Sequence, residues 1–300
     1  MPNQDNVSDI RVDELSIRTA IAEFDLKPFL IEMNIEENIF KTSLTGSIVL
    51  SDSYNIPAKF PIVGEETVNI NISLTGIDGR DDDLHLSINP PRMHVNSITG
   101  RYFTGKTPKA QIFTLELVSE QYMSNIHSKV SKSYNNTYIS DIVVDIYSKY
   151  LGNPNKLLIE PTDSIESCIV PNLHPLEAIK WITQRAVQDS GAGVNYLFFE
   201  TLSGVFFTSI NRLAEKEPQF TYKYIPRTGD SKGVEALSVG DFRIKNLYFM
   251  NQFDKASNSI NGLYASKLIT HDIVRKKITQ HDFNGYNDFV SLNHFGTFPV

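Results

Sequence analysis

The most specific chemical pattern in the chain runs from Gly100 to Thr107 and reads GRYFTGKT, which matches the phosphate-binding loop G-x-x-x-x-G-K-[ST] at every fixed position. In nucleotide hydrolases this loop follows a strand and opens a helix, so that backbone N–H groups and the helix N-terminus face the phosphates. Here Pro108 comes next, and residues 111–118 alternate between polar and apolar types, which predicts a strand. The sequence therefore favours a glycine-rich hairpin turn, and a nucleotide-binding enzyme that uses this loop stays an alternative.

Nucleotide hydrolysis also needs a carboxylate that holds the metal ion. The candidate is Asp145, which follows Val143 and Val144. Its surroundings have helical periodicity, because Ile142, Val143 and Ile146 recur at spacings of three and four residues. We therefore expect Asp145 to lie on a helix, where it does not complete a nucleotide site.

The histidines and the acidic run lack the spacing of metal ligands. His271, His281 and His294 lie far apart in the sequence, and the chain has no Cys pair to accompany them. Residues 81–83 are three consecutive aspartates without the alternating ligands and distal Glu of a calcium loop. We interpret the histidines as hydrogen-bonded or exposed side chains, and the aspartates as a solvated turn.

Other catalytic patterns are equally weak. No G-x-S-x-G nucleophile elbow occurs, and Ser190 beside Gly191 is typical of a helix end. Trp181 could stack on a ligand, but its position on an apolar helix face favours a place in the core. We predict no catalytic, cofactor-binding or metal-binding residues, and a protein that is not an enzyme.

Composition sets outer limits on the class of protein. The 300 residues suggest two or three domains, and 18 Phe with 13 Tyr against 1 Trp favour β structure. The net charge of −7 argues against tight binding to nucleic acid or to an anionic membrane. A single cysteine, Cys168, excludes an internal disulfide, and no apolar run reaches the roughly 20 residues of a membrane span. We expect a soluble chain without a membrane anchor, made in a reducing cytoplasm, with a polar and frayed start over residues 1–13.

Period-two alternation dominates the first 120 residues. It predicts six or seven strands, with one short helical turn over residues 53–60 that Ser51 or Asp52 could cap. The strand segments are residues 29–36, 44–50, 68–74, 84–88, 93–99 and 111–118. This number of strands is enough for a closed or nearly closed β-barrel.

Helical periodicity follows. One helix is predicted over residues 139–150, with Thr137 as its cap and Gly152 and Pro154 as its stop. A second begins at Pro175, capped by His174 or Asn172, presents an apolar face, and continues to Gly191 and Gly193. That face consists of Leu176, Ile179, Ile182, Thr183 and Ala186. Residues 194–200 and 205–210 then form a hairpin around the turn 201–204.

Strand patterns return after residue 211, over residues 219–225, 242–250, 263–270 and 273–283, with a loop at 227–240. The predicted fold class is α+β, mainly β. We expect a tube-like β-barrel domain at 1–120, a middle α+β domain at 121–211, and a second tube-like β domain at 212–300. Later residues or another subunit would complete the third domain.

This arrangement resembles the central baseplate hub protein of contractile-tailed bacteriophages, a family related to the hub part of type VI secretion spike proteins. The resemblance is carried by the segment 43–56 (SLTGSIVLSDSYNI), by residues 68–72 and 139–150, and by the segment 170–182 (VPNLHPLEAIKWI), and it continues into the hairpin. It covers about two thirds of the chain in order, and it rests on patterns of strand, helix and turn.

The resemblance implies a structural virion protein located in the tail baseplate. Three copies would form a ring that joins the tail tube to the central spike, with other baseplate proteins as further partners. DNA would pass through the lumen without specific binding, and an acidic net charge agrees with this because cationic side chains at phosphates add affinity. A cell-wall binding or lytic tail component is the first alternative, and the nucleotide-binding enzyme is the second.

Overall fold

The computed structural model describes residues 10–19, 21–60, 62–74, 86–88, 92–103, 110–152, 156–189, 194–217, 222–224, 243–244, 246–248 and 253–291. The described residues up to Thr208 form one compact unit, and those from Ser209 onward form a second. The strands are β1 (Ile10–Arg18), β2 (Glu23–Asp25), β3 (Leu30–Glu36), β4 (Thr45–Asp52), β5 (Thr67–Leu74), β6 (Leu86–Ile88), β7 (Met93–Phe103), β8 (Gln111–Ser119), β9 (Val130–Tyr138), β10 (Leu157–Ile159), β11 (Ile165–Leu173), β12 (Tyr196–Thr201), β13 (Gly204–Ser209), β14 (Lys223–Tyr224), β15 (Arg243–Ile244), β16 (Ala265–Asp272) and β17 (Lys277–Asn284). The helices are α1 (Ile56–Lys59), α2 (Glu120–His127), α3 (Ile139–Tyr150), α4 (Pro175–Thr183), α5 (Ile210–Ala214), α6 (Lys255–Ile260) and α7 (Gly285–Asp288).

An antiparallel β-barrel forms the first part of the chain. Seven of its eight strands follow the order β2-β1-β5-β7-β8-β4-β3, and the eighth, β6, lies off this path and pairs with β5. The two ends of this path, β2 and β3, are consecutive in the chain and are joined by the 3-10 turn Lys27–Phe29. The mainly β fold class predicted from the sequence is confirmed.

Strict alternation explains why the barrel strands were recognisable. Along β8, the side chains of Phe113, Leu115 and Leu117 are buried, while Ile112, Thr114 and Glu116 between them are half-buried. The barrel core collects such inward residues from five strands: Leu15, Ile17, Ile48, Leu50, Val68, Ile70, Ile72, Met93, Val95, Phe113, Leu115 and Leu117.

The predicted frayed start is wrong from Ile10 onward, where β1 begins. A shift of register between Val12 and Glu14 breaks the period-two pattern in the middle of this strand. Leu15 and Ile17 are nevertheless fully buried. The described part of this region has eight strands, one or two more than the six or seven predicted. The difference arises because β1 and the three-residue β2 lack a clear alternation.

A helix and hairpin domain follows the barrel within the same unit. Helices α3 and α4 pack on each other and on the hairpin of β12 and β13, whose strand β13 also pairs with β10 in parallel. A second sheet pairs β9 with β11. The shared core includes residues of both predicted faces, Ile139, Ile142, Val143, Ile146 and Tyr147 on α3 and Leu176, Ile179 and Ile182 on α4. Ala178, which was not predicted, joins them.

The helix ends differ in part from the prediction. His174 caps α4 as predicted, in a capping box with Glu177, whereas α3 is capped at Tyr138 instead of Thr137. Helix α4 ends at Thr183, short of the predicted stop at Gly191 and Gly193, which lies outside the described residues.

Local hydrogen bonds explain this early end of α4. The Thr183 hydroxyl donates to the Ile179 carbonyl at 2.6 Å, and the next turn tightens to bonds of Arg185 N to Ile182 O and of Ala186 N to Thr183 O.

The second unit contains a long hairpin formed by β16 and β17, which confirms the strands predicted at 263–270 and 273–283. Of the strands predicted at 219–225 and 242–250, the structure shows the two-residue parallel pair β14 and β15. The predicted loop at 227–240 lies outside the described residues. Within the described part of the chain, no helix is long and apolar enough to cross a membrane.

Candidate functional site

The loop that matches the phosphate-binding pattern joins two antiparallel strands. Its first residues belong to β7, which pairs with β8 up to Phe103 opposite Gln111. Gly100 lies in a register shift between Thr99 and Tyr102 and has φ 58°, a left-handed backbone conformation that glycine adopts without strain. The nine-residue strand β8 then leaves the loop, as predicted, where a nucleotide site would have a helix. Residues 104–109, including Lys106 and Thr107, lie outside the described residues.

A buried carboxylate holds the base of this hairpin. Asp52 is 1% exposed and accepts hydrogen bonds from the backbone N–H groups of Tyr54 and Ile56, at 2.7 and 2.6 Å, and from Gln111 Nε2 at 2.8 Å. Gln111 Oε1 in turn accepts from Arg101 Nε at 2.8 Å. Arg101, at a variable position of the loop pattern, is therefore hydrogen-bonded to Gln111 and to Asn55, and it connects β7 to the turn before α1.

The candidate metal ligand Asp145 lies on α3, as predicted, and is bound by two donors. Its Oδ2 atom accepts from Lys132 Nζ and from the Tyr134 hydroxyl, both at 2.7 Å. Burial acts to raise the pKa of Asp145, but the hydrogen bonds from Lys132 and Tyr134 outweigh it and leave the pKa below its ordinary value. Burial and the Asp145 hydrogen bond raise the pKa of Tyr134. Asp145 thus connects α3 to β9.

The remaining sequence candidates do not converge. His271 pairs with Ile278 and His281 with Leu268 in the register of β16 and β17, which places the two imidazoles on opposite faces of the hairpin. His294, residues 81–83, Ser190 and Gly191 lie outside the described residues. Among the residues that the structure describes, no group of three or more His, Cys, Asp or Glu could hold a metal ion.

Trp181 packs against the core of the helix and hairpin domain, as predicted. The Arg185 guanidinium carbon lies 4.4 Å from the centroid of the Trp181 ring. The cation therefore covers ring surface on which a ligand would stack.

The most developed polar arrangement is the joint between the barrel and the β12–β13 hairpin. The Glu200 carboxylate, on β12, accepts from Leu44 N at 3.0 Å and from Ser119 Oγ at 2.5 Å. At the turn of the hairpin, Leu202 N donates to Glu37 Oε1 at 2.6 Å, and the Leu202 side chain packs against the barrel core. Each of these contacts links residues more than 80 positions apart, and they fasten the β12–β13 hairpin to the barrel within the first unit.

A glycine at position 204 allows the β12–β13 hairpin to lie close to the segment that precedes β10. Gly204 has φ 151°, and a Cβ atom there would lie 3.0 Å from the Lys156 carbonyl oxygen. A side chain at this position would therefore strain the backbone and press on the segment that precedes β10.

The electrostatics of the joint centre on Glu200, which is 6% exposed. Burial raises the pKa of Glu200, against the opposing effect of the hydrogen bonds from Ser119 and Leu44. Burial, with a smaller contribution from the Glu200 charge, raises the pKa of Tyr147 to about 12. The sequence prediction missed Glu200, and the one local signal was a glutamate that follows four apolar or aromatic residues in the strand YLFFET.

The β16–β17 hairpin exposes apolar side chains on both faces. Register places Leu268 and Phe283 on one face and Ile269 and Ile278 on the other, and all four are exposed. Within the described residues these two strands pair with each other alone. An isolated two-stranded hairpin is marginally stable in water, so this element has the character of a contact surface.

Comparison with known proteins finds a phage baseplate protein among the relatives of this chain. No family model matches the chain. A curated relative is a baseplate hub protein, and this confirms the resemblance seen in the sequence. It is the probable baseplate hub protein gp334 of Vibrio phage KVP40, 29% identical over 119 residues, which are 39% of this chain and 27% of the phage protein. The match thus spans about a quarter of the relative's length.

Solved structures with a similar arrangement include tail proteins. The 43 kDa tail protein of prophage MuSo2 from Shewanella oneidensis has a TM-score of 0.46 at 10% identity, and the match covers 74% of this chain and 58% of the tail protein. The tail protein of Neisseria meningitidis MC58 has a TM-score of 0.45 at 12% identity, covering 73% and 56%. A type VI secretion component of E. coli, c3393, has a TM-score of 0.37 at 10% identity, covering 74% and 51%.

Proposed function

We propose that this chain is a structural protein of a phage tail baseplate and acts as its central hub. The observation that carries the proposal is the 29% identity with a probable baseplate hub protein, over 119 residues. The carboxylates Asp52, Asp145 and Glu200 are all engaged in connections between elements of the fold.

In detail, we propose a homotrimeric ring that connects the tail tube to the central spike and lets DNA pass. The three domains predicted at 1–120, 121–211 and 212–300 would supply two tube-like barrels per copy. Two features support assembly through the surface. Strand β3 lies at one end of the described sheet path, and the β16–β17 hairpin presents apolar residues on both faces. Free strand edges and bare apolar faces are the surfaces through which β proteins join neighbours.

Co-production of this chain with the tail-tube and spike proteins of the same phage tests the proposal. We expect a discrete particle by mass photometry, with three copies of this chain, and electron microscopy should show a ring around the tail axis. A chain that stays monomeric with both partners present would contradict the proposal.

A control separates failed assembly from a failed fold. Thermal unfolding of the isolated chain should show a cooperative transition in the same buffer, because the barrel and the helix and hairpin domain each have a buried apolar core. Monomers that unfold cooperatively and still do not assemble would count against the hub role, since the fold would then be intact.

A further inference from the structure

The dipeptide Asn-Gly occurs twice in the sequence, as Asn261-Gly262 and as Asn284-Gly285. Asparagine followed by glycine is especially open to deamidation, because no side chain on the glycine blocks the approach of its backbone nitrogen to the asparagine amide carbon. Both pairs lie in the second unit, one between α6 and β16 and the other at the end of β17. The two sites share their chemistry and differ in how the fold holds them.

Asn261 is weakly held. It is exposed and directly follows α6, a helix of 6 residues that buries none of them. Within the described part of the chain its side chain makes one hydrogen bond, from Nδ2 to Ser257 Oγ, at the long distance of 3.4 Å. The N–H of Gly262 donates to the Ser259 carbonyl at 3.2 Å, in the turn that ends α6. A helix this short without a buried face is marginal in water, so this turn opens readily.

Asn284 is held more firmly. Its Oδ1 accepts from the backbone N–H groups of Tyr286 and Asn287, at 3.1 and 3.3 Å, and so caps α7. The N–H of Gly285, whose nitrogen would attack the amide, donates to the Tyr264 carbonyl at 2.8 Å. Deamidation at this position therefore requires these three hydrogen bonds to open together.

We propose that Asn261 is a site of spontaneous deamidation, and that Asn284, although it has the same neighbour, is protected by the fold. In the reaction, Gly262 N loses its proton to hydroxide and attacks Asn261 Cγ. The bond between Cγ and Nδ2 breaks, ammonia leaves, and a succinimide ring forms between the two residues. One water molecule then opens the ring. Cleavage at Cγ gives aspartate, and cleavage at the backbone carbonyl carbon gives isoaspartate.

The product changes the connection into β16. Aspartate or isoaspartate adds one negative charge to a chain whose net charge is already −7. That charge lies at the C-terminal end of α6, where the partial charge of the helix is also negative. Isoaspartate in addition lengthens the backbone by one carbon between residues 261 and 262. The hydrogen bond from Leu263 N to Asn258 O, which closes the same turn at 3.0 Å, should then be lost.

Incubation of the full chain at mildly alkaline pH, followed by tryptic peptide mapping with mass spectrometry, tests the proposal. The two asparagines fall on separate peptides, which begin after Lys255 and after Lys277, and fragmentation distinguishes Asn261 from Asn258 in the first. In the folded chain Asn261 should be converted about tenfold faster than Asn284, because the hydrogen bonds that must open at Asn284 are more numerous and shorter. An isoaspartate-specific methyltransferase should label the Lys255 peptide in preference to the other.

Denaturation in guanidinium supplies the matched control. Both pairs are then free of the fold, and their rates should become similar. Asn261→Gln keeps an exposed amide but would need a larger ring, so it should remove the product at this position and leave the fold unchanged. Equal rates in the folded chain, or a faster reaction at Asn284, would overturn the proposal. A difference that persists in guanidinium would overturn it as well, because neighbouring side chains would then set the rate.

Discussion

The backbone N–H of Leu202 donates to the carboxylate of Glu37 at 2.6 Å, although 165 residues separate them in the chain. This bond fixes the turn of the β12–β13 hairpin against the end of β3. The Leu202 side chain lies beside the barrel core at the same point. One two-residue turn, Leu202 and Ser203, thus joins the helix and hairpin domain to the barrel by a polar and an apolar contact.

Leu202→Ala should destabilise the first unit by about 1–2 kcal/mol, because it removes partly buried methyl groups from the barrel core. Chemical denaturation of the full chain measures the loss. Leu158→Ala is the matched control: Leu158 lies on β10 in the same domain and is 53% exposed, so its replacement should change stability by less than about 0.5 kcal/mol. Equal effects of the two substitutions would show that Leu202 does not contribute to the barrel core.

Asp52→Asn should cost about 2–3 kcal/mol. The asparagine has one acceptor oxygen for the N–H groups of Tyr54, Ile56 and Gln111, and its own amide hydrogens would face these donors. Thermal unfolding should show a lower midpoint. The exposed Asp25 accepts a hydrogen bond from Lys27 N at 3.0 Å, and Asp25→Asn should be nearly neutral because an exposed asparagine can keep this bond. A neutral Asp52→Asn would contradict the network described at the base of the β7–β8 hairpin.

The regular elements were predictable because local periodicity and burial agree in them. Strand β8 keeps its alternation, and the apolar spacing of α3 coincides with its buried face. Strand β1 was missed because a bulge interrupts its pattern. Strands β9 and β11 were missed for a related reason, since both contain register shifts and mostly exposed side chains.

The joint between the barrel and the β12–β13 hairpin was not predictable, and the physical reason is different. The hydrogen bonds of Glu200 to Leu44 and Ser119 join residues that are 156 and 81 positions apart in the sequence, and no local sequence pattern indicates a contact at such separations. The loop at Gly100 shows the converse case. Its sequence matches the phosphate-binding pattern, but nucleotide binding would require a helix after the loop, and the strand β8 is found there.

Lys106→Ala should leave nucleotide binding unchanged, because the wild-type chain should bind none. The loop that contains Lys106 connects two antiparallel strands, and a strand follows it where a nucleotide site needs a helix N-terminus. Isothermal titration of both proteins with ATP and Mg²⁺ measures this. Magnesium-dependent binding that the substitution abolishes would revive the nucleotide-binding enzyme as the function of the chain.

The double substitution Leu268→Ser and Ile278→Ser should weaken assembly without unfolding the chain. The two side chains are 59% and 68% exposed, so their loss should change the stability of the isolated chain by less than about 1 kcal/mol in total. If the β16–β17 hairpin is a contact surface, the same change should reduce the fraction of assembled particles formed with the tube and spike proteins, as counted by mass photometry.

A control for this experiment comes from the first unit. Ile126 lies on α2 and Ile165 on β11, with exposures of 45% and 48%. Ile126→Ser together with Ile165→Ser also removes two exposed apolar side chains, both from the first unit. We expect assembly to remain at the wild-type level in this control. Equal loss in both double variants would mean that assembly responds to general surface hydrophobicity, whereas loss confined to Leu268 and Ile278 would assign the contact to the hairpin.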